Sequence, residues 1–450
     1  MTGRTTVRLG AGAGFAGDRI DPAVDLAERG GLDYLVFECL GERTIAAANA
    51  RRRADPEAGF DPLWTRRLRA VLRPTVEGGA TIVSNSGAAD PRGAAAATLD
   101  VAHDLGLPRL RVAAVTGDDV LDATVAADPV VWETGRRLSE HSEDLLAANA
   151  YLGADPIVRA LDARPDVVVT GRVADPSLFL GPLVHEFGWA LDGDPGLLGR
   201  GTAVGHLLEC AGQLTGGYFA DPVTKPVDRL AHLGFPFADV AADGTAVLGK
   251  LPGTGGRLDL ATTREQLLYE VDDPGAYVTP DVVADLSQVR LRSDAPDTVA
   301  VSGAGGTPRP DALKVTLGFR GGWSGEGQIS YAGPRALARA HAAAEVVVDR
   351  LDRVHGIPAA DVHVEYIGAG AALRGLAPVG DPLEVRLRVQ AWAPDEERAE
   401  TVGWEVESLY TNGPAGGGGA RRSHAEVLAV RSCLLDRRLV TPAVDLLELS

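Results

Sequence analysis

Residues 80–119 read ATIVSNSGAADPRGAAAATLDVAHDLGLPRLRVAAVTGDD, and the fold class turns on this stretch. Ala80–Ser84 is a short apolar run of the kind that forms a buried strand. Asp90 then precedes Pro91, a capping side chain followed by a proline at the first helical position, where its missing N–H costs nothing. The alanine-rich Pro91–Leu105 predicts a helix, and Leu110–Val115 predicts a second strand. Strand, helix and strand in such close succession make the crossover unit from which parallel sheets are assembled.

The same alternation extends outward on both sides. Thr6–Leu9 predicts a first strand, followed by a glycine-rich turn and a helix over Pro22–Arg29 with Asp21 as its cap. Tyr34–Glu38 predicts the next strand, Leu63–Glu77 a helix, and Ile157–Ala163 a helix leading into the strand Asp166–Thr170. Five strand–helix steps predict a doubly wound, mostly parallel α/β sheet across the N-terminal and middle parts, with a β/α barrel as the alternative. Residues 176–310 are richer in Gly, Pro and Asp, show helices at Ala203–Leu214 and Thr263–Tyr269, and are expected to cover the sheet. After the Gly/Pro-rich run Gly303–Pro310 the pattern becomes β-α-β-β-α-β with one extra hairpin strand, which predicts a C-terminal α+β ferredoxin-like domain. The expected organisation is thus a Rossmann-like part over 1–175, a covering region over 176–310 and the ferredoxin-like domain over 311–450.

Lys plus Arg total 44 and Asp plus Glu 62, giving a net charge of −18 over 450 residues. Such a surface repels phosphate backbones and anionic lipid, so neither nucleic acid nor membrane is an expected partner. With no apolar run of membrane-spanning length and no signal-peptide layout at residues 1–20, a cytoplasmic location is expected. Cys39, Cys210 and Cys433 are odd in number and far apart, which fits a reducing compartment and predicts no structural zinc or other metal. Only Lys225, Lys250 and Lys314 are lysine, so each marks a position where arginine is expected not to serve.

Candidate chemistry sits after the strands, where ligands bind in parallel α/β folds. The turns are Gly10–Arg19, Glu38–Thr44, Ser84–Gly87, Thr116–Asp119 and Thr170–Asp175. Gly12, Gly14 and Gly17 match a dinucleotide fingerprint, with Glu38 placed as its ribose acid, but Asp21-Pro22 starts the helix too late for that motif. His206 and Glu209 stand three apart on a predicted helix and so share one face. They read as a general base with its orienting acid, as two metal ligands, or as a helix-surface pair. Two glycine loops, Lys250–Gly256 and Gly413–Gly419, are anion-binding candidates, although neither is a P-loop.

Together, GAGAGFAGDR (10–19), LDYLVFECLGERT (32–44), VTGRVAD (169–175), GHLLECAGQLTGG (205–217), Gly253–Gly256 with QLLYE (266–270), YVTPD (277–281) and GPAGGGG (413–419) resemble the acyclic terpene utilisation AtuA family. The resemblance runs in order from about residue 7 to about 420. Where the family usually has Glu-Cys-Gly, this chain has Glu209-Cys210-Ala211, and it has Gly41 where alanine is common. The resemblance implies bacterial catabolism of terpenoid acids as CoA thioesters.

The combined expectation is an enzyme acting on an acyl thioester or small carboxylate by addition, elimination or C–C cleavage. It needs a base, an acid and an oxyanion site, with no redox cofactor, and CoA enters only as part of the substrate. Glu38, His206, Glu209, Asn85 and Arg172 are the expected catalytic residues. Gly12, Gly14, Gly17, Asp18, Arg19, Asp118, Asp175 and Lys250 are the expected binding residues, and Arg43 adds a further cation. A homo-oligomer is expected. The alternatives are an NAD(P)-dependent oxidoreductase and a non-catalytic assembly subunit.

Overall fold

A computed structural model describes residues 5–141, 144–374, 376, 380 and 382–449. Two compact units emerge: one runs to Gly318 and resumes at Val430, and the other is Phe319–Ala429.

In the first unit the five expected strands lie side by side and parallel, in the order Thr6–Ala13, Tyr34–Phe37, Thr81–Ser84, Val167–Thr170, Leu110–Thr116. Their registers align Leu9 with Tyr34, Tyr34 with Thr81, and Val168 with both Val83 and Ala113. Every residue of Tyr34–Phe37 and Val167–Thr170 is buried. A strand buried on both faces needs cover on both, which explains its unbroken apolar run. Two helical layers supply the cover, one from Asp21–Arg29, Trp64–Glu77 and Pro91–Asp104, the other from Asp155–Asp162, Ser177–Phe187 and Pro195–Glu209.

The sheet does not stop at five strands. Pro236–Ala241, Ala246–Lys250, Thr298–Ser302 and Arg290–Ala295 extend it antiparallel from the first strand, and Ala443–Leu449 closes its other side antiparallel to Leu110–Thr116. The sheet is therefore mixed rather than mostly parallel. The cause is connection length: a tight turn with Gly244 at a φ of 79° joins Pro236–Ala241 to Ala246–Lys250, and so short a link cannot make a parallel crossover. Residues 176–310 do not merely cover the sheet; they supply four of its strands.

A second correction concerns the glycine-rich turn. The first strand continues to Ala13, so Gly10 and Gly12 lie inside it. A Cβ on Gly10 would stand 2.6 Å from a Leu32 methyl, and one on Gly12 2.7 Å from the Phe37 ring. These glycines make room for packing, and Gly12 stands in the strand rather than in the turn where the dinucleotide fingerprint needs its first glycine. The helix expected at Ala203–Leu214 instead spans Pro195–Glu209, capped by the Asp194 carboxylate on Gly196 N–H. The helix Glu42–Ala54 and the strand Asp144–Ala150 were not anticipated.

The second unit has strands in the order Val362–Ile367, Glu384–Ala393, Ala312–Ala332 (from residue 319 on) and Gly417–Asp436 (to residue 429). The first two pairs are antiparallel, with Tyr331 opposite Val385 and Val364 opposite Val389. Helices Ala336–His355 and Glu396–Asn412 pack together and bury Val347 and Val406 against Ile329, Tyr331 and Leu387. The strand Gly417–Asp436 takes up the end of the glycine loop expected at Gly413–Gly419.

Candidate active site

At the carboxyl ends of the parallel strands the first unit opens a cleft of about 710 Å³. Three elements meet there: the end of the first strand with the turn to Arg19, the segment Glu38–Thr44, and the C-terminal end of helix Pro195–Glu209 with the residues after it. Gly14 is what lets them meet. A Cβ at Gly14 would fall 2.5 Å from the Cys210 carbonyl carbon, so any other residue would force the strand end off the helix end.

The cleft is acidic. Asp18, Glu38, Glu42, Asp175, Glu209 and Glu270 line it, against Arg19 as the one cation among the described residues of its lining, whose Nη1 donates to the Leu230 carbonyl at 2.8 Å. Burial first, and the nearby Asp175 charge second, push the Glu38 carboxyl up to about 8. Arg172, Asn85 and the Leu40 N–H pull the other way without prevailing. Glu38 Oε1 accepts from Leu40 N–H at 2.7 Å and from Asn85 Nδ2 at 3.0 Å, while Asn85 Oδ1 accepts from Cys39 N–H at 2.7 Å. Asn85 thus holds both the carboxylate and the backbone beside it.

Glu209 is the second poised carboxyl, raised by burial to about 7. Its Oε1 lies 2.8 Å from His206 Nδ1, and His206 Nε2 lies 3.2 Å from the Leu267 carbonyl. A carbonyl only accepts, so Nε2 carries a hydrogen. The Nδ1–Oε1 contact therefore holds one further proton, as imidazolium with carboxylate or as imidazole with carboxylic acid. His206 is 1% exposed and sits behind Glu209, with its ring 5.0 Å from that of Tyr277. Glu209 faces the cleft, and its Oε2 is buried without a hydrogen-bond partner.

A second cavity of about 500 Å³ adjoins the first, sharing Glu42, Asp175 and Glu270. Its walls are largely apolar, with Trp132, Tyr151, Tyr277, Pro280 and Leu313, but Arg172 and Lys314 also reach it. Arg172 is buried, donates to the Leu40 carbonyl and to Asp175 at 2.8 Å, and lies 4.0 Å over the Tyr151 ring. Its backbone N–H donates to Asp118 Oδ2 at 2.9 Å, and Asn149 donates to the same oxygen at 2.9 Å. Burial still carries Asp118 up to about 6. Glu42 goes the opposite way. Burial opposes its ionisation, but hydrogen bonds from Lys314 (2.8 Å) and Tyr151 outweigh it and hold the carboxyl at about 2.

Of the expected site residues, Gly14, Asp18, Arg19, Glu38, Asp175 and Glu209 line the cleft, and Arg172 lines the adjoining cavity. Asp18 is pinned by the N–H groups of Gly14 and Arg19, and burial nonetheless raises its pKa. Asn85, Asp118 and His206 stand behind the lining and hold it. Gly12 lies in the strand, and the Phe15 ring fills the Cβ side of Gly17. Lys250 and Arg43 line neither cavity; Lys250 pairs with Asp297 at 3.0 Å instead. Sequence reasoning passed over Glu42, Glu270, Tyr151, Tyr277 and Lys314. Glu42, Glu270 and Tyr277 do lie in the motifs that carry the family resemblance, and Lys314 is one of three lysines.

Burial raises all three thiols, so Cys39, Cys210 and Cys433 are not thiolates at neutral pH. Among the described residues no group of three or more His, Cys, Asp or Glu is arranged to hold a metal ion, and no helix is long and apolar enough to cross a membrane. The profile of the acyclic terpene utilisation family protein AtuA matches residues 7–446, nearly the whole chain. No curated protein and no solved structure matches significantly. The chain belongs to the AtuA family.

Proposed function

We propose that this member of the AtuA family is an enzyme acting on an acyl thioester or related small carboxylate, by acid–base chemistry next to a carbonyl. One observation carries the reading: Glu38 and Glu209 share a cleft and titrate near about 8 and about 7. Carboxyls on one site poised near working pH suit proton transfer in both directions. The roles within the histidine pair are the reverse of those expected from sequence. Glu209 meets the substrate, and His206 orients it and stores its proton. Glu38 takes the proton next to the carbonyl, and the Glu209–His206 pair returns one to the developing alkoxide or leaving group. The adjoining apolar cavity takes the acyl chain. Addition, elimination and C–C cleavage all need this pairing, and lyase or hydratase chemistry is our preferred assignment within it. We also read the first unit as Rossmann-like and the second as ferredoxin-like, the latter from its strand–helix–strand–strand–helix–strand order.

Turnover of a panel of acyl-CoA thioesters tests the reading. Glu38→Gln and Glu209→Gln should each lower kcat by about 100-fold or more, the usual worth of a positioned acid or base. The wild-type kcat/KM profile should break near pH 7 and pH 8. Wild-type turnover in both variants would overturn it.

A further inference from the structure

A thioester carrier is a polyanion, and the cleft, even with Glu38 and Glu209 partly protonated near neutral pH, sets more carboxylates than its one engaged arginine against the phosphates. The phosphates must lie elsewhere. A third cavity, of about 430 Å³, touches the apolar one through Leu313, which lines both. Arg309 and Arg437 face this space. Arg437 donates Nη2 to the carbonyls of Pro280 and Pro310, two walls of the apolar cavity, while its Nε is buried with no partner. Arg309 is exposed and makes no hydrogen bond or ion pair with any described residue.

Two guanidiniums brought together repel each other, and the buried Asp281 is the acid whose charge reaches both. Burial, followed by the Arg309 charge, lowers the Arg437 pKa accordingly. Two of the acids along this wall are already satisfied. Asp281 accepts from Ser177 at 2.6 Å and from Ala154 N–H at 2.8 Å, and Asp155 pairs with Arg159 at 3.1 Å. Asp192 on the wall and Asp311 beside Arg437 remain as local competitors.

We propose that this cavity is a phosphate-anion subsite, with Arg309 and Arg437 as its cations, and that it holds the phosphorylated tail of the thioester. The assignment of the tail rests on the acyl-thioester reading above; the anion site itself does not. The open fork of Arg309, with the Arg437 charge beside it, gives the charge-assisted contacts that phosphate recognition uses.

Calorimetric titration of the full chain with CoA, pantetheine and inorganic pyrophosphate tests it at low and high salt. Arg309→Ala removes an exposed side chain and should leave the fold intact. It should weaken CoA and pyrophosphate by about tenfold at low salt and less at high salt, because screening already diminishes the lost attraction. Pantetheine binding should not change. Asp192→Asn should tighten both phosphate ligands, which provides a gain that a misfolded variant cannot give. Pyrophosphate binding that depends on Arg309, with no binding of CoA, would keep the anion site and sink the thioester reading. CoA binding equally to wild type and Arg309→Ala would do the reverse. If neither CoA nor pyrophosphate binds, the subsite is overturned.

Discussion

Glu38 carries a cost that its position in the cleft explains. In the folded chain its carboxyl titrates near about 8, against an ordinary value of 4.5. Between those values the folded state binds a proton that the unfolded state has released, so stability falls as pH rises through the window and levels off above it. A shift of that size corresponds to a penalty on the order of a few kcal/mol at pH 8. Glu38→Gln keeps an oxygen for the Leu40 N–H and Asn85 but cannot ionise. It should melt higher than wild type at pH 8, match it near pH 4, and lose activity. A melting series that stays parallel across pH would show Glu38 to be unperturbed. Ala211 presents a second local strain: it holds a φ of 41°, in the left-handed region that disfavours a Cβ. A glycine fits that conformation without a Cβ penalty. Ala211→Gly should stabilise the chain by about 0.5–1 kcal/mol, the left-handed penalty less the added freedom of the unfolded chain. An unchanged or lower melting temperature would refute it. Such residues differ in how far sequence reveals them. Glu38 and Asp175 end or follow strands and could be read directly. Lys314 could not, because it meets Glu42 across 272 positions of sequence and only the folded unit brings them together.

At the scale of elements, the cleft depends on one close approach, the end of strand Thr6–Ala13 against the end of helix Pro195–Glu209. Gly14→Ala would drive a methyl into the Cys210 backbone, where nothing flexible can yield. It should destabilise by about 1–3 kcal/mol and weaken ligand binding in the cleft, as overpacking does. Gly41 also lines the cleft, but a Cβ there meets nothing within 4 Å. Gly41→Ala should cost under about 1 kcal/mol, from its position capping helix Glu42–Ala54. Equal losses in the two variants would mean that the junction is not the constraint. The elements that were legible share one property. The central strands are buried on both faces, so their apolar runs are unbroken, and Asp90 caps the helix that opens at Pro91; Asp21, expected as a cap, is instead the first residue of its helix, with Ile20 at the cap position and no side-chain cap bond. Helix Glu42–Ala54 hid because it buries only Ile45, Ala46 and Ala48 and ends in three arginines, leaving no amphipathic stripe to read. The outer strands Pro236–Ala241 and Thr298–Ser302 hid because they span only six and five residues within a Gly-, Pro- and Asp-rich region, although their alternating burial is that of half-covered strands.

The large sheet of the first unit has two edges, and each must be kept from pairing with another chain. On one side Arg290–Ala295 is almost wholly exposed and carries Arg290, Arg292 and Asp294, charges that discourage edge-to-edge association. On the other, Leu110–Thr116 is nearly all buried and apolar, and Ala443–Leu449 covers it residue for residue from Thr116 to Leu110. That covering strand bears Asp445 and Glu448, and Asp445 pairs with Arg92 of helix Pro91–Asp104 at 2.8 Å. A net charge of −18 disfavours association in general but cannot protect an apolar strand whose N–H and C=O groups are left open. Deleting residues 441–450 should therefore do more than trim a terminus. It should remove about 3–6 kcal/mol of stability, taking each ladder hydrogen bond as worth about 1 kcal/mol net. It should also yield concentration-dependent aggregates, because Val112, Ala113, Ala114 and Val115 would then form an uncovered edge. Size-exclusion chromatography with light scattering, beside a thermal melt, reads both effects. A truncated chain that stays monodisperse at the wild-type size and melts with the full chain would show that the terminal strand decorates the sheet rather than sealing it.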